Sequence, residues 1–194
     1  MKICFGGGIF RKQRYFFYMD EEITYLCKNI NSLNPCINQY PYYLTQVGKE
    51  FEKQIKDDAQ ECFNSFKEDF TDMNYEVAAG PLTTTTKLKP SVIEIALESE
   101  VSLEKNGIPR TFNRFDTFIP TKLHDIAFVT NEILTQEAKY CYFSVEGFMA
   151  LYTDFKITSF LLDDTTNIYT IKNKESQEEL KMAVRGCAMP GGYF

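Results

Sequence analysis

The sequence predicts an α+β fold with a helical N-terminal third packed on a mainly antiparallel β-sheet and one further helix near residues 120–137. Residues 45–70 and the later helical segment repeat apolar residues at the three- and four-residue spacing of a helix. Residues 82–104 instead alternate apolar and polar residues, which is the period of a strand. The Asn106-Gly107 pair that follows is typical of a tight β-hairpin.

The first helix is predicted directly after the N-terminal segment. Asp20 is a suitable N-cap, and the apolar residues beyond it are spaced so that they share one helical face. These residues are Ile23, Leu26, Cys27 and Ile30. Residues 31–44, "NSLNPCINQYPYYL", contain two prolines and three asparagines and are predicted to form a connecting loop.

A long amphipathic helix is predicted over residues 45–70. Its apolar stripe is narrow and largely aromatic, with lysine, glutamate and aspartate between its members. The stripe consists of Val47, Phe51, Ile55, Cys62, Phe63, Phe66 and Phe70. About seven turns of helix result, and the aromatic stripe should pack on another element.

The strand before Asn106-Gly107 is predicted to have an apolar and an acidic face. The acidic face carries Glu94, Glu98, Glu100 and Glu104. A two-residue turn would place Ser99 opposite Arg114, so no arginine should answer the glutamates across the strand. We expect this face to be solvent-exposed and to change stability by no more than about 0.5 kcal/mol when neutralised. The alternative is an acidic docking face or a calcium-binding face.

The C-terminal part is predicted to contain short strands. Residues 140–173 and 179–190 are rich in aromatic and β-branched residues, and a turn is expected at residues 163–166. The predicted organisation is therefore a basic aromatic segment, residues 1–19, followed by a single domain over residues 20–194.

Charge separates these two parts and excludes some partners. The net charge is −6, yet residues 1–19 contain four basic residues and no acidic one. An acidic body does not suit a nucleic-acid-binding protein, because phosphates are neutralised by clustered lysine and arginine. No segment approaches the roughly 20 apolar residues that cross a bilayer, so no transmembrane span is expected.

No motif predicts a catalytic, cofactor-binding or metal-binding residue. The run Gly6-Gly7-Gly8 lacks the spacing of nucleotide-binding loops. The six cysteines contain no C-x-x-C pair, and His124 is the single histidine, so a zinc site is not predicted. The cysteines could be disulfides in an oxidising compartment or buried thiols in a reducing one.

Four stretches in this order resemble a loosely defined group of uncharacterised archaeal surface proteins. They are "ECFNSF", "NYEVAAGPLTTTTKLKPSVIEI", "FDTFIPTKLHDIAFVTNEIL" and "ELKMAVRGCAMP". Members of that group typically carry one N-terminal membrane helix and an external α+β domain. In this chain a glycine- and arginine-containing segment stands where that helix would be. The resemblance implies an oxidising location, which favours disulfides, and it implies no activity.

Two further expectations concern particular residues. Cys141 and Cys187 should lie close enough to bond, because each adjoins a predicted C-terminal strand and the chain between them contains turns. Closing that loop would stabilise the fold by roughly 4 kcal/mol in the chain-entropy model. The N-terminal segment is too apolar to remain in water, and its docking residues are predicted to be Phe10, Arg11, Arg14, Phe16 and Phe17.

The function predicted from these features is a non-enzymatic exported or cell-surface module with a structural or binding role. One alternative is a small cytosolic enzyme or ligand-binding domain with a pocket between helices and sheet. Another is a filament subunit that docks through its N-terminal segment. A protein partner or self-association fits this segment, and so does peripheral contact with an anionic membrane.

Overall fold

The structure is a computed structural model that describes residues 15–29 and 34–187. The described residues form two compact units. The split unit takes its described residues from Met1–Leu44 and Lys122–Phe194, and the inserted unit is Thr45–Thr121. Helices and mainly antiparallel sheets make up the chain, so the predicted α+β class is confirmed.

Strands outnumber helices in the described residues, and each element is numbered in chain order. The elements are β1 (Tyr15–Tyr18), β2 (Glu21–Lys28), β3 (Ile37–Asn38), α1 (Tyr43–Asp72), β4 (Glu76–Ala79), β5 (Thr83–Lys89), β6 (Val92–Lys105), β7 (Ile108–Pro120), α2 (Leu123–Tyr140), α3 (Val145–Leu151), β8 (Phe155–Leu161), β9 (Thr166–Asn173) and β10 (Glu179–Arg185). The predicted helices at 45–70 and near 120–137 correspond to α1 and α2.

The split unit is built on a sheet with the strand order β1-β2-β10-β9-β8, and β3 also pairs with β2. Strand β10 is parallel to β2 and antiparallel to β9. Helix α2 packs on β2, β9 and β10. Its stripe of Ile126, Val129, Ile133 and Leu134 is almost entirely shielded from solvent. Burial of these side chains and of the central strands supplies the apolar core of this unit.

The predicted helix at residues 20–30 is wrong, because residues 21–28 form β2, and the helix that packs on a sheet in this part of the chain is α1. Residues 15–28 form a β-hairpin in which Tyr18 pairs with Glu21 across a two-residue turn. Both turn residues, Met19 and Asp20, have positive φ angles, as a type I′ turn requires. Leu26 and Cys27 are both buried because both faces of β2 are covered, and this pattern imitates the spacing of a helical face.

A short helix also replaces part of the predicted C-terminal strands. Helix α3 begins after Ser144, whose side chain accepts a hydrogen bond of 3.3 Å from the backbone N–H of Gly147. A serine in this position satisfies one of the free N–H groups of the first helical turn. The predicted turn at residues 163–166 is present, since β8 and β9 pair on either side of it.

The inserted unit packs the aromatic stripe of α1 on a four-stranded sheet. Strand β6 pairs with β4, β5 and β7, all antiparallel. Phe63 of α1 is buried with Val101 and Leu103 of β6, and further aromatic rings surround them. The Phe66 ring lies 4.8 Å from Phe70 between centroids, which is within the range of favourable ring contacts.

The predicted hairpin at Asn106-Gly107 is confirmed, but its register changes further along the strands. Leu103 pairs with Arg110, as the two-residue turn requires. A β-bulge between Glu98 and Val101 then shifts the pairing by one residue. Arg114 consequently faces Glu98, whereas the unbroken register had placed it opposite Ser99.

The expectation that no arginine answers the glutamates is therefore wrong. Arg114 Nη1 lies 3.0 Å from Glu98 Oε1, and Arg114 Nη2 lies 2.8 Å from Asp116 Oδ1. Glu94 is only partly exposed and pairs with Lys89 at 2.5 Å, while Glu98 and Glu100 are exposed. The acidic face is thus a mixed-charge surface, and exposed pairs of this kind contribute little to stability.

These ion pairs should make stability depend on acid pH. The hydrogen bond from Arg114 lowers the pKa of Asp116, and the one from Lys89 lowers the pKa of Glu94. Because both folded-state values lie below the unfolded ones, stability is present at neutral pH and is lost as pH falls through the folded-state pKa values. Arg114→Gln should make the loss of unfolding free energy between about pH 7 and pH 3 smaller, and urea unfolding measures this loss. Arg110→Gln is the control, and identical profiles for the two variants would contradict the pairing.

A close backbone contact lies at the end of β10. A Cβ atom on Gly186 would stand 3.0 Å from the backbone N and 3.2 Å from the Cβ of Cys36. Gly186→Ala should therefore destabilise by about 1–3 kcal/mol, because the crowded atoms must shift. Gly48 of α1 has no heavy atom within 4 Å of the same position, so Gly48→Ala should stabilise by about 0.5–1 kcal/mol. Thermal unfolding measures both, and a neutral Gly186→Ala would rule out the tight contact.

Candidate functional site

A cavity of about 550 Å³ lies within the split unit. The C-terminal end of α2, the turn between β8 and β9, and the residues after β10 contribute to its wall. The lining residues that carry polar or sulfur chemistry include Glu137, Cys141, Asp163, Asn167, Tyr169 and Cys187. Concave sites of this size with a few convergent polar groups are typical of small-molecule binding.

Glu137 is a carboxylate on the buried face of α2. It follows Ile133 and Leu134 at helical spacing, and only 8% of its surface is exposed. The Tyr169 hydroxyl of β9 donates a hydrogen bond to Glu137 Oε1, and Asn167 Nδ2 donates one of 2.9 Å to the Tyr169 hydroxyl oxygen. A chain of two hydrogen bonds therefore leads from Asn167 through Tyr169 to Glu137.

Burial favours the neutral forms of both acids in this chain. It raises the pKa of Glu137, and the hydrogen bond from Tyr169 opposes this effect only in part. Burial, together with the neighbouring Glu137, also raises the pKa of Tyr169. When Glu137 is protonated, Oε2 carries the proton, because Oε1 accepts the hydrogen bond from Tyr169.

Two buried oxygens at this cavity have no hydrogen-bond partner among the described residues. They are Asn167 Oδ1 and Thr165 Oγ1, and both residues line the cavity. Leaving such an atom unsatisfied costs about 1–3 kcal/mol. Buried polar groups in folded proteins almost always have a partner, and these two atoms are shielded from solvent behind the cavity surface.

The lining is acidic. Glu146 and Asp163 belong to it beside Glu137, whose neutral form burial favours, and none of the described residues that line it is lysine or arginine. Arg185 stands between the lining residues Val184 and Gly186 in the sequence, but its side chain pairs with Asp164, with 3.5 Å between Nη1 and Oδ2. Tyr142, which is exposed, adds an aromatic ring to the wall. Negative charge and aromatic rings together favour a cation over an anion.

A disulfide joins Cys141 to Cys187 at the cavity wall, with the two Cα atoms 5.6 Å apart. Cys141 and Cys187 are the two cysteines that the sequence analysis expects to lie close enough to bond. Cys141 follows α2 directly and has a left-handed backbone with φ of 56°. A second disulfide joins Cys27 of β2 to Cys36. Cys62 is free and exposed, and Cys4 lies outside the described residues. Two disulfides suggest an extracellular or otherwise oxidising environment.

The residues predicted to dock the N-terminal segment are only partly described. Phe10, Arg11 and Arg14 lie outside the described residues. Phe16 belongs to β1 and packs on Tyr25, with 5.0 Å between ring centroids. Phe17 is on the same strand and is 69% exposed. Through β1, residues 15–18 add a strand beside β2.

Binding a metal ion requires clustered ligand side chains, and crossing a membrane requires a long apolar helix. Among residues 15–29 and 34–187, no group of three or more His, Cys, Asp or Glu side chains is placed to hold a metal ion. The helices within these ranges include none that is long and apolar enough to cross a membrane.

Comparison with protein families, with curated proteins and with solved structures finds no match to this chain. The geometry of the cavity is therefore the basis for assigning a role.

Sequence reasoning missed Glu137, Tyr169, Asn167 and Thr165 as site residues. One signal was present, since Glu137 continues the apolar stripe of α2, and an acid on a core-facing stripe is uncommon. The partner Tyr169 is far along the chain, and no spacing rule connects the two. Their meeting depends on the packing of α2 on β9.

The buried Glu137 should lower stability as pH rises. Its folded-state pKa lies above the ordinary value of 4.5, so the folded state binds more protons between these two values. The free energy of unfolding should therefore fall as pH rises from 4.5 to the folded-state pKa. Glu137→Gln should remove this fall, because the amide does not ionise, whereas Glu146→Gln should retain it. Urea unfolding across pH measures the effect, and a fall of equal size in Glu137→Gln would refute it.

Proposed function

We propose that this protein is an exported binding module at a cell surface, and that its cavity binds a small organic cation with N–H donors. The observation that carries the proposal is the acidic lining of the cavity, which includes Glu146 and Asp163 and, among the described residues, no lysine or arginine. An ammonium group has three donors and a positive charge, and both properties match this wall.

The hydrogen-bond chain fixes one part of this wall. Tyr169 and Asn167 are held in place by their bonds to each other and to Glu137. A fixed wall that also carries Glu146 and Asp163 favours cations and disfavours carboxylates and phosphates, because these bear negative charge.

Export is supported by the disulfides. Two pairs of cysteines are bonded, and such bonds persist in oxidising compartments. The resemblance of the chain to archaeal surface proteins implies the same location. These features favour the cell-surface hypothesis over the cytosolic alternative.

The ligand class can be tested with a panel of matched small molecules. Primary amines, neutral alcohols and carboxylates of equal size are added in turn, and the shift in melting temperature is measured. Amines should raise it and carboxylates should not, because only the amines carry a positive charge that the acidic lining attracts. Binding at tenfold the dissociation constant corresponds to roughly 1.4 kcal/mol.

Substitution identifies the site. Asp163→Asn should reduce the shift with amines, because it removes a negative charge of the lining at similar volume. Asp57→Asn is the control, since Asp57 is an exposed residue of α1 that does not line the cavity. Equal shifts for amines and carboxylates, or an unchanged response in Asp163→Asn, would refute the proposal.

A further inference from the structure

The two disulfides of the split unit have different surroundings. Cys27 and Cys36 are 0% and 3% exposed, so their bond is closed to solutes. Cys141 and Cys187 are both partly exposed and both line the cavity. A thiol that enters the cavity therefore meets the sulfurs of one disulfide and not of the other. Access of the attacking thiolate to a disulfide sulfur is a main determinant of exchange rate.

An acid lies one helical turn before one of these sulfurs. The backbone N–H of Cys141 donates a hydrogen bond of 3.0 Å to the carbonyl oxygen of Glu137. Both side chains line the same cavity. Tyr169 holds Oε1 of Glu137, which leaves Oε2 to carry the proton.

Cys141 is the sulfur that needs such a proton. It caps the C-terminal end of α2, where the partial negative charge of the helix disfavours a thiolate. If the disulfide opens with Cys141 as the leaving group, its negative sulfur forms in an unfavourable field. A nearby proton donor removes that charge.

We propose that Cys141–Cys187 is an exchange-active disulfide that reacts with small thiols entering the cavity, with Glu137 as the proton donor to the Cys141 sulfur. A thiolate attacks Sγ of Cys187, the bond between Cys141 and Cys187 breaks, and the Cys141 sulfur leaves with the electron pair and takes the proton of Glu137. A mixed disulfide between Cys187 and the thiol remains. A second thiol molecule then attacks this mixed disulfide as a thiolate, and Cys187 leaves and is protonated by water. The disulfide is reduced by two electrons, and two thiols are oxidised to one small disulfide.

The first test compares the two disulfides in one folded protein. Cys4→Ser/Cys62→Ser protein is treated with 2-mercaptoethanol without denaturant, alkylated at intervals and mapped by mass spectrometry. Cys141 and Cys187 should become labelled at least about tenfold faster than Cys27 and Cys36, because only the first pair is accessible. Equal rates for the two pairs, or faster labelling of Cys27 and Cys36, would overturn the proposal without the need for any cavity variant.

The second test concerns Glu137. Glu137→Gln should slow reduction of Cys141–Cys187 several-fold at low pH, and the ratio of wild-type to variant rates should fall as pH rises, because ionised Glu137 has no proton to give. The other titratable side chains that line the cavity are Tyr142, Glu146, Asp163 and Tyr169. Glu146→Gln is the matched control and should leave the rate and its pH dependence unchanged, and near-ultraviolet circular dichroism verifies that each variant is folded. Equal rates and equal pH profiles in wild type and Glu137→Gln would overturn the proposal.

A third comparison links this activity to the proposed ligand class while keeping the two separable. Cysteamine carries an amine, and 3-mercaptopropionate carries a carboxylate. Each rate is divided by the rate of the same thiol with a small-molecule disulfide, which corrects for intrinsic reactivity. If the proposed function is correct, cysteamine gives the larger corrected rate at Cys141–Cys187. Equal corrected rates would refute the cation preference of the cavity, whereas the exchange proposal is decided by the two tests above.

Discussion

The placement of β10 between β2 and β9 is the constraint on which the split unit depends. Strand β2 and strands β8 and β9 come from distant parts of the sequence, and β10 hydrogen-bonds to both groups. The backbone N–H of Asn29 continues this ladder with a bond of 2.8 Å to the carbonyl oxygen of Arg185. The end of β10 then brings Gly186 against Cys36 and Cys187 beside Cys141. One strand thus aligns the sheet, both disulfides and one wall of the cavity.

The cavity combines two environments that are usually kept apart. The side near α2 and β9 buries a carboxyl and a phenol, so protons there are held tightly. The side near the β8–β9 turn carries the exposed residue Asp163. A ligand or thiol entering from solvent would therefore pass from a hydrated acidic rim to a drier polar wall. Hydrogen bonds and charge interactions strengthen as water is excluded along this path.

Local patterns were sufficient for the parts of the fold that depend on local interactions. Helix α1 is long and amphipathic, and the Asn106-Gly107 turn follows from the backbone angles that its residues adopt. Strand β2 was misassigned because burial on both faces produces a spacing close to that of a helix, and its turn at Met19 and Asp20 lacks the usual glycine. The pairing of Arg114 with Glu98 was missed because a bulge has no clear sequence signal. The cavity required knowledge of which distant strands meet, and neither composition nor spacing contains it.

The division of the split unit between two stretches of sequence affects how the chain is made. A ribosome completes β2 and the whole inserted unit before β10 exists. At roughly 5–20 residues per second, the edge of β2 that pairs with β10 waits on the order of ten seconds for its neighbour. Cys27 and Cys36 are separated by nine positions and can be oxidised early, but Cys141 has to remain available until Cys187 has been translated. The nascent chain would therefore benefit from a chaperone that covers the open strand and from an isomerase that corrects premature pairing with Cys62.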